Sequence, residues 1–253
     1  VHSGPLTGLG SAGRVRVRTP DLARLAEALG HAEGAGEVER TITERTGAFG
    51  AVIVSRPDNH RRVRDLLDRR QPQAVRIYDA ESLFHRRSRR EADVRGTLEA
   101  ERRAGDEVGA EAAAVLWADG VLAVSEDVVD FARAINPRAE VAVCSYAVEV
   151  PASVPDHAAR DDLVCFGGFL AGPGGPNEDA AVIAAREVAP RIGRPLVVAG
   201  ADPTPRVLAL DRAPTRVVGR VEDPIAFLAG YRVHLCPLRF GSGLKLRLVD
   251  AGA

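Results

Sequence analysis

The sequence has no methionine, and it has one lysine and one tryptophan among 253 residues. Because no initiator methionine is present, we expect the chain to be an internal piece of a longer protein. No stretch approaches the roughly 18 consecutive apolar residues that a transmembrane helix needs, so a membrane span is not predicted. The formal net charge of -1 lacks the positive excess that general nucleic-acid binding requires, so we expect no nucleic-acid partner.

The sequence is also poor in cysteine, with only Cys144, Cys165 and Cys236, which are far apart and odd in number. We expect them to be small buried apolar residues and not a disulfide framework. Histidine and cysteine show no metal-ligand spacing, so no metal is predicted. Free thiols favour a reducing cytoplasm, and peripheral contact with a membrane stays open.

Short apolar segments alternate with amphipathic segments from residue 51 onward. The predicted strands are Ala51–Ser55, Ala74–Asp79, Gly120–Val124, Val141–Cys144, Leu163–Phe166, Leu196–Ala199, Arg216–Val218 and His234–Pro237. They are apolar along their length, which is typical of strands covered on both faces. This alternation predicts an α/β fold with parallel sheets.

A proline-containing polar segment interrupts the alternation near Pro151 and Pro155. We predict an interdomain linker over residues 149–160, between an N-terminal Rossmann-like domain (1–148) and a C-terminal one (161–253). Neither stretch has a full complement of strands, so we expect two incomplete Rossmann-like domains that face a cleft, as in the GT-B fold. Ligands collect in such a cleft because loops and helix N-termini converge at the carboxyl ends of the strands.

A dinucleotide-binding fingerprint is matched by the spacing of Gly8, Gly10 and Gly13. That fingerprint needs a strand before it and a helix after it, so that the helix N-terminus meets the pyrophosphate. Here no strand precedes it, and the β-like segment Arg14–Arg18 follows. We therefore interpret these glycines as a flexible loop, and an oxidoreductase is the least favoured class.

The segment from residue 239 to residue 245 is the strongest candidate for a phosphate site. Gly241, Ser242 and Gly243 follow a predicted strand and precede a helix, so backbone amides and a helix N-terminus converge there. Arg239 and Lys245 add full positive charges, and Lys245 is the only lysine in the chain. The pattern predicts a diphosphate site, with a purely structural loop as the alternative.

A second glycine-rich loop follows the predicted strand that ends at Phe166. Gly167 and Gly168 allow a ligand to approach the backbone closely. The helix after this loop carries Glu178 and Asp179 in its first turn, and these carboxylates would repel a diphosphate placed there. We predict that the loop contacts the sugar or the base of a ligand, with a plain turn as the alternative.

Several segments occur in an order and spacing that resemble family-4 glycosyltransferases. They are Phe166–Phe169, Pro176–Ala180, Val198–Ala201, Val218–Asp223, Pro237–Lys245, Tyr78–Arg87 and Ala123–Glu126. The resemblance covers roughly residues 50–253. It implies a retaining hexosyl-type glycosyltransferase of the GT-B fold, with a nucleotide-sugar donor in the C-terminal domain and the acceptor mainly in the N-terminal domain.

The same resemblance implies a role for individual positions. The loop with Gly219 and Val221 lies beside the donor base, and Asp250 matches an acidic residue that bonds the ribose hydroxyls. The full set of implied donor-binding residues is Gly167, Gly168, Gly200, Gly219, Val221, Arg239, Gly241, Ser242, Gly243, Lys245 and Asp250. The nucleotide-diphosphate sugar is a substrate, so no cofactor is expected.

The chain departs from the family in two places. Many members have a pair of glutamates where Ser242 and Asp250 stand here. The usual arginine and lysine after the first glycine-rich strand end are also missing, and Phe169 occupies one of their places. Because of these departures, we expect Arg239 and Lys245 to contribute more to binding of the diphosphate.

Sugar transfer requires a stabilised leaving diphosphate and a deprotonated acceptor hydroxyl. Asp79, Glu81 and His85 come at or just after the end of a predicted buried strand, where side chains reach the cleft. We predict that His85 polarises the acceptor hydroxyl and that Asp79 or Glu81 orients it. Arg56 and Arg86 are expected on the acceptor side. An ordinary acidic helix start with a surface histidine is the alternative.

Four arginines form a basic cluster between residues 86 and 90. They could meet a lipid-linked diphosphate acceptor or an anionic membrane surface. A solvated helix face neutralised by Glu91 and Asp93 is the favoured interpretation. The acceptor class, glycan, lipid-linked or small molecule, therefore stays open.

Two further functions keep the same fold. One is a sugar-nucleotide epimerase or a phosphorylase, which would use the donor site without an acceptor of the transferase kind. The other is a degenerate domain kept for protein interaction, which would not bind a nucleoside diphosphate.

Overall fold

The structure is a computed structural model that describes residues 35–144, 146, 153–245, 248–249 and 252. Three features considered above lie outside these residues. They are the segment from Gly8 to Arg18, the first four residues of the predicted linker, and Asp250.

The first half of the chain forms a four-stranded parallel sheet in the order β1-β2-β3-β4. Its strands are β1 (Ala51–Ser55), β2 (Val75–Ala80), β3 (Gly120–Ala123) and β4 (Glu140–Val143). Its helices are α1 (Ala35–Glu44), α2 (Pro57–Arg70), α3 (Phe84–Arg95), α4 (Leu98–Trp117) and α5 (Glu126–Ile135). The strand order follows the chain, so right-handed crossovers place α2 to α5 on one face of the sheet.

The second half forms another four-stranded parallel sheet, in the order β7-β6-β5-β8. Its strands are β5 (Asp161–Phe166), β6 (Leu196–Ala199), β7 (Thr215–Gly219) and β8 (Tyr231–His234). A 3-10 turn (His157–Ala159) precedes them, and their helices are α6 (Pro176–Ile183), α7 (Ala189–Ile192), α8 (Pro205–Leu208) and α9 (Pro224–Ala229). A π-helical turn (Ala184–Val188) joins α6 to α7.

The predicted α/β fold with two parallel sheets is confirmed. Strands β1 and β6 begin and end at the predicted residues, whereas β8 begins and ends three residues earlier than predicted. The charged residue Arg232 is accommodated near the start of β8 because its guanidinium donates to the carbonyls of His157 (3.2 Å) and Ala158 (3.1 Å). The strand stops before Pro237, which has no N–H to extend the ladder.

Each sheet packs its own core. Tyr78, Val121 and Val128 are buried in the first core, and Leu163 and Val198 are buried in the second.

The prediction of buried cysteines is wrong for Cys144, which is exposed at the end of the edge strand β4, whereas Cys165 is buried. Within the described ranges, every helix is too short or too polar to cross a bilayer.

The chain reverses its direction of travel in the second sheet. It moves outward from β5 to β6 and β7, and then crosses back to place β8 on the other side of β5. Helix α9 consequently lies on the opposite face, where Phe227 packs against Phe166 (6.3 Å between ring centroids) and Tyr231 (5.1 Å). The carboxyl ends of β5 and β8 therefore flank a topological switch point, which is the usual ligand crevice of an open α/β sheet.

His60 is a buried ionisable group on α2 whose protonation should destabilise the fold. Its ring is 2% exposed and packs against Trp117 at 5.1 Å, and its Nε2 has no hydrogen-bond partner among the described residues. Burial, together with the positive charge of Arg64, lowers the pKa of His60 below 6.5. The unfolded chain therefore binds more protons than the folded one as the pH falls.

We expect the free energy of unfolding to be largest above about pH 6.5 and to fall as the pH is lowered through that value. Urea unfolding at a series of pH values measures this slope. His60→Phe keeps an aromatic ring against Trp117 and removes the titrating group, so its slope should be shallower. Equal slopes in the two proteins would contradict this role for His60.

Candidate functional site

Two glycine-rich loops meet at the switch point of the second sheet. Gly167 and Gly168 follow β5, and the loop that contains Gly241, Ser242 and Gly243 follows β8, which is the neighbour of β5. The fold thus brings together the two loops that the sequence predicted to contact a donor. We refer to residues 241–243 as the glycine loop.

The backbone of the β5 loop is packed tightly against the end of β6. Gly200 has a φ of 153°, and a Cβ atom built there would lie 2.1 Å from the carbonyl oxygen of Gly167. The amide of Gly167 also donates to the carbonyl of Ala199 at 2.9 Å. Only glycine fits at position 200, where its backbone packs against the β5 loop.

The glycine loop contacts the first sheet directly. The Oγ atoms of Ser242 and Ser82 share a hydrogen bond, and Arg90 Nη1 donates to the carbonyl of Gly241 at 2.7 Å. Gly243 has a φ of 69°, and a Cβ atom there would lie 2.9 Å from the carbonyl oxygen of Glu81. The carboxyl edges of the two sheets are therefore joined at the glycine loop.

Lys245 places its positive charge on the glycine loop. Its Nζ donates to the carbonyls of Ser242 (3.1 Å) and Gly243 (3.0 Å). Those carbonyls consequently point towards the ammonium group, so the charge is held at the turn where the sequence predicted a phosphate.

Arg239 lies two residues before the glycine loop, but its guanidinium is paired with a carboxylate on α6. Its Nε donates to Asp179 Oδ2 at 2.9 Å, and its Nη2 bonds the other oxygen of the same carboxylate. These hydrogen bonds raise the pKa of Arg239 above its usual value. The charge of Arg239 is therefore compensated by Asp179 in this structure.

The two carboxylates at the start of α6 both have internal partners. Glu178 accepts from Thr204 Oγ1 (2.5 Å) and from the amide of Gly174 (3.0 Å). Burial by itself raises the pKa of Glu178, but hydrogen bonds from Thr204, Gly174 and Arg206 outweigh it and lower the pKa. With Asp179 paired to Arg239, the repulsion of a diphosphate expected from these two residues is weakened.

Arg56, Asp79 and Glu81 lie together at the carboxyl ends of the neighbouring strands β1 and β2. Ser55 Oγ donates to Asp79 Oδ2 at 2.7 Å, and Arg56 Nε donates to Glu81 Oε2 at 2.8 Å. Arg56 has a φ of 71°, which is unusual for a residue with a side chain. These residues face the same edge as the glycine loop.

His85 is bonded to a buried carboxylate that the sequence interpretation missed. Glu111 on α4 is 1% exposed, and it accepts from the amide of Phe84 (2.5 Å) and bonds His85 Nδ1. Burial raises the pKa of Glu111, and the hydrogen bonds from His85 and Phe84 partly offset that rise. A lone carboxylate inside the apolar run from Gly109 to Val115 was the signal for it.

Other predicted residues lie further from the glycine loop. Arg86 pairs with Asp127 at 2.7 Å. Gly219 is the last residue of the edge strand β7, and Val221 follows it; β6 and β5 separate this strand from β8. The part of the chain that the structure describes holds no group of three or more histidine, cysteine or acidic side chains arranged for a metal ion.

Comparison with solved structures assigns the fold to a class. Sucrose-phosphate synthase from Thermosynechococcus elongatus is similar over 86% of this chain and 57% of its own, with a TM-score of 0.63 and 14% identity. A variant of S. aureus TarM, solved with fondaparinux, alpha-GlcNAc-glycerol and UDP, is similar over 86% of this chain and 42% of its own (TM-score 0.56, 10% identity).

Both neighbours are GT-B glycosyltransferases, and the present chain has their two-sheet α/β fold. It spans about half the length of these structures. No protein-family model matches the chain. No curated protein matches it either.

The pairing of Arg239 with Asp179 can be tested by a double-mutant cycle. Asp179 is 6% exposed, so Arg239→Ala leaves a buried carboxylate without its partner, which costs about 1–3 kcal/mol of unfolding free energy. In the Asp179→Asn protein the same arginine substitution should cost clearly less. Urea titration of the four proteins measures both costs, and equal costs would mean that the pair is not coupled.

Proposed function

We propose that the full-length protein is a retaining glycosyltransferase of the family-4 kind, which moves a hexosyl group from a nucleotide-diphosphate sugar to an acceptor. One observation carries this proposal. The glycine loop stands at the topological switch point of the second sheet and touches Ser82 and Glu81 of the first. A donor held by this loop would have its sugar beside the residues that follow β2.

The donor diphosphate would be bound by the glycine loop and Lys245. Backbone amides of the loop supply hydrogen bonds, and the ammonium group supplies a full charge close to them. Arg239 could join only by exchanging Asp179 for a phosphate oxygen, so we assign it a smaller part. Gly219 and Val221 would lie towards the base, and Asp250 is proposed to bond the ribose.

The chemistry requires one bond to break and one to form at the anomeric carbon. The bond to the diphosphate oxygen breaks, and the leaving group's negative charge is stabilised by Lys245 and the loop amides. The acceptor oxygen bonds to the same face of the sugar, and its proton passes to a base. We assign that role to His85, whose Nδ1 is held by Glu111 so that Nε2 is the nitrogen left for the acceptor.

The remaining side chains would position the acceptor. Asp79 and Glu81 lie at the end of β2, next to Arg56, and could orient hydroxyl groups. We propose a glycan, lipid-linked or small-molecule acceptor, a cytoplasmic site of action and no cofactor. Peripheral contact with a membrane is part of this proposal only for a lipid-linked acceptor.

Removal of the charge at position 245 tests the donor site. We expect Lys245→Ala to weaken binding of the preferred nucleoside diphosphate tenfold or more, about 1.4 kcal/mol, and Lys245→Arg to lose less. Calorimetric titration of the full-length protein with a panel of nucleoside diphosphates measures this. UDP is the first member to try, since it occupies the TarM structure.

Arg191→Ala is a matched control, because Arg191 is an exposed cation on α7 with no ion pair among the described residues. It should leave the affinity unchanged. An affinity unaffected by Lys245→Ala would remove the assigned site. A protein that binds no nucleoside diphosphate would instead be an interaction domain, and one that converts donor without any acceptor would be an epimerase.

The partner of His85 can be tested by kinetics. Glu111→Gln keeps the shape of the side chain but removes its charge, so we expect kcat to fall about as far as in His85→Ala, with KM changed little. The double variant should be no slower than either single one, because the two groups act as a unit. If both losses add in full, Glu111 supports the fold and does not act through His85.

A further inference from the structure

A groove of about 590 Å³ lies between α3 and α4, outside the glycine loop. Its wall on α3 carries His85, Arg86, Arg89 and Arg90, and its wall on α4 includes Glu101 and Val108. Small-molecule sites usually measure a few hundred to about 1,000 Å³. The groove is therefore large enough for a sugar phosphate or the headgroup of a lipid-linked sugar.

The charge of this groove is mainly positive. Among the described residues that line the groove, Glu101 is the only acidic one, against three arginines. Arg86 pairs with Asp127 (2.7 Å), and Arg90 donates to the carbonyl of Gly241 (2.7 Å). For Arg89 no hydrogen bond or ion pair to another described residue is found.

One of the two acidic residues expected to neutralise this helix face, Glu91, is engaged elsewhere. Glu91 pairs with Arg95 (2.8 Å) and with Arg103, on the side of α3 that faces Gly174. It is therefore not available to Arg89, and Asp93, the other acidic residue named above, makes no ion pair with Arg89 among the described residues. An unmatched guanidinium in a groove attracts an anion, and phosphate suits its planar donors well.

The position of the groove relates it to the proposed reaction. His85 lines it, and Arg90 connects its wall to the glycine loop by one hydrogen bond. Val108 is 38% exposed and gives the opposite wall an apolar patch suited to a sugar ring or an alkyl chain. An anion bound at Arg89 would thus lie about one helical turn from the histidine that is proposed to act on the acceptor hydroxyl.

We propose that this groove binds the phosphate group of a phosphorylated acceptor, with Arg89 as its principal ligand. The proposal rests on the proposed glycosyltransferase function and names the class of its acceptor. A soluble sugar phosphate and a lipid-linked phosphate present the same group to Arg89. The identity of the remainder of the acceptor is settled by which of the two binds.

Binding is measured with the full-length protein carrying Lys245→Ala, so that the glycine loop contributes little. A hexose 6-phosphate is the soluble probe, with the unphosphorylated hexose as its reference. Phosphatidylcholine vesicles with and without a polyprenyl phosphate are the lipid probe. We expect Arg89→Ala to weaken binding of one of the phosphorylated probes tenfold or more, and Arg89→Lys to weaken it less.

Arg61→Ala is the matched control, because Arg61 is an exposed arginine on α2 with no ion pair among the described residues. It should change neither probe. If Arg89→Ala and Arg61→Ala behave alike with both probes, or if phosphate adds nothing to binding, the proposal is overturned and the cluster is a solvated helix face.

Separate UDP titrations distinguish this proposal from the proposed function. With Lys245 intact, Arg89→Ala should leave UDP affinity unchanged. If UDP does not bind at all while phosphorylated probes still depend on Arg89, the transferase assignment fails and the anion site stands. If UDP binds at Lys245 and neither phosphorylated probe depends on Arg89, the anion site is overturned and the transferase assignment stands.

Discussion

The close approach of the glycine loop to the start of α3 is the constraint on which the site depends. Gly243 makes it possible, because any Cβ atom there would lie 2.9 Å from the Glu81 carbonyl. The approach places the Lys245 charge beside the helix that carries His85 and Arg89. Without it, the glycine loop and the residues after β2 would lie on two separate surfaces.

Strand positions could be predicted from the sequence because the strands are short apolar segments between amphipathic ones. The expected cover on both faces is not found for β1, where Ile53 is 61% exposed. The error at β8 shows where that signal fails. Tyr231 and Arg232 look unlike a buried strand, yet Arg232 reaches two backbone carbonyls near residue 158 and so satisfies its charge. Because these carbonyls are more than seventy residues away, the local sequence does not indicate them. The predicted strand therefore begins after the observed one.

The partners of the charged residues could not be predicted for the same reason. Asp179 looks like an ordinary acidic residue at a helix start and Arg239 like a cation free for phosphate, but the packing of α6 against the β8 loop pairs them. Glu111 and His85 are likewise joined only by the packing of α4 on α3. The glycine loop could be singled out because its glycines and Lys245 lie within one short segment of the chain.

A crystal structure of the full-length protein with UDP tests the central claim most directly. We expect the diphosphate oxygens to lie about 3 Å from the amides of the glycine loop and from Lys245 Nζ, on the side that faces α3. A diphosphate bound away from the switch point between β5 and β8 would contradict the assignment of this loop as the donor site.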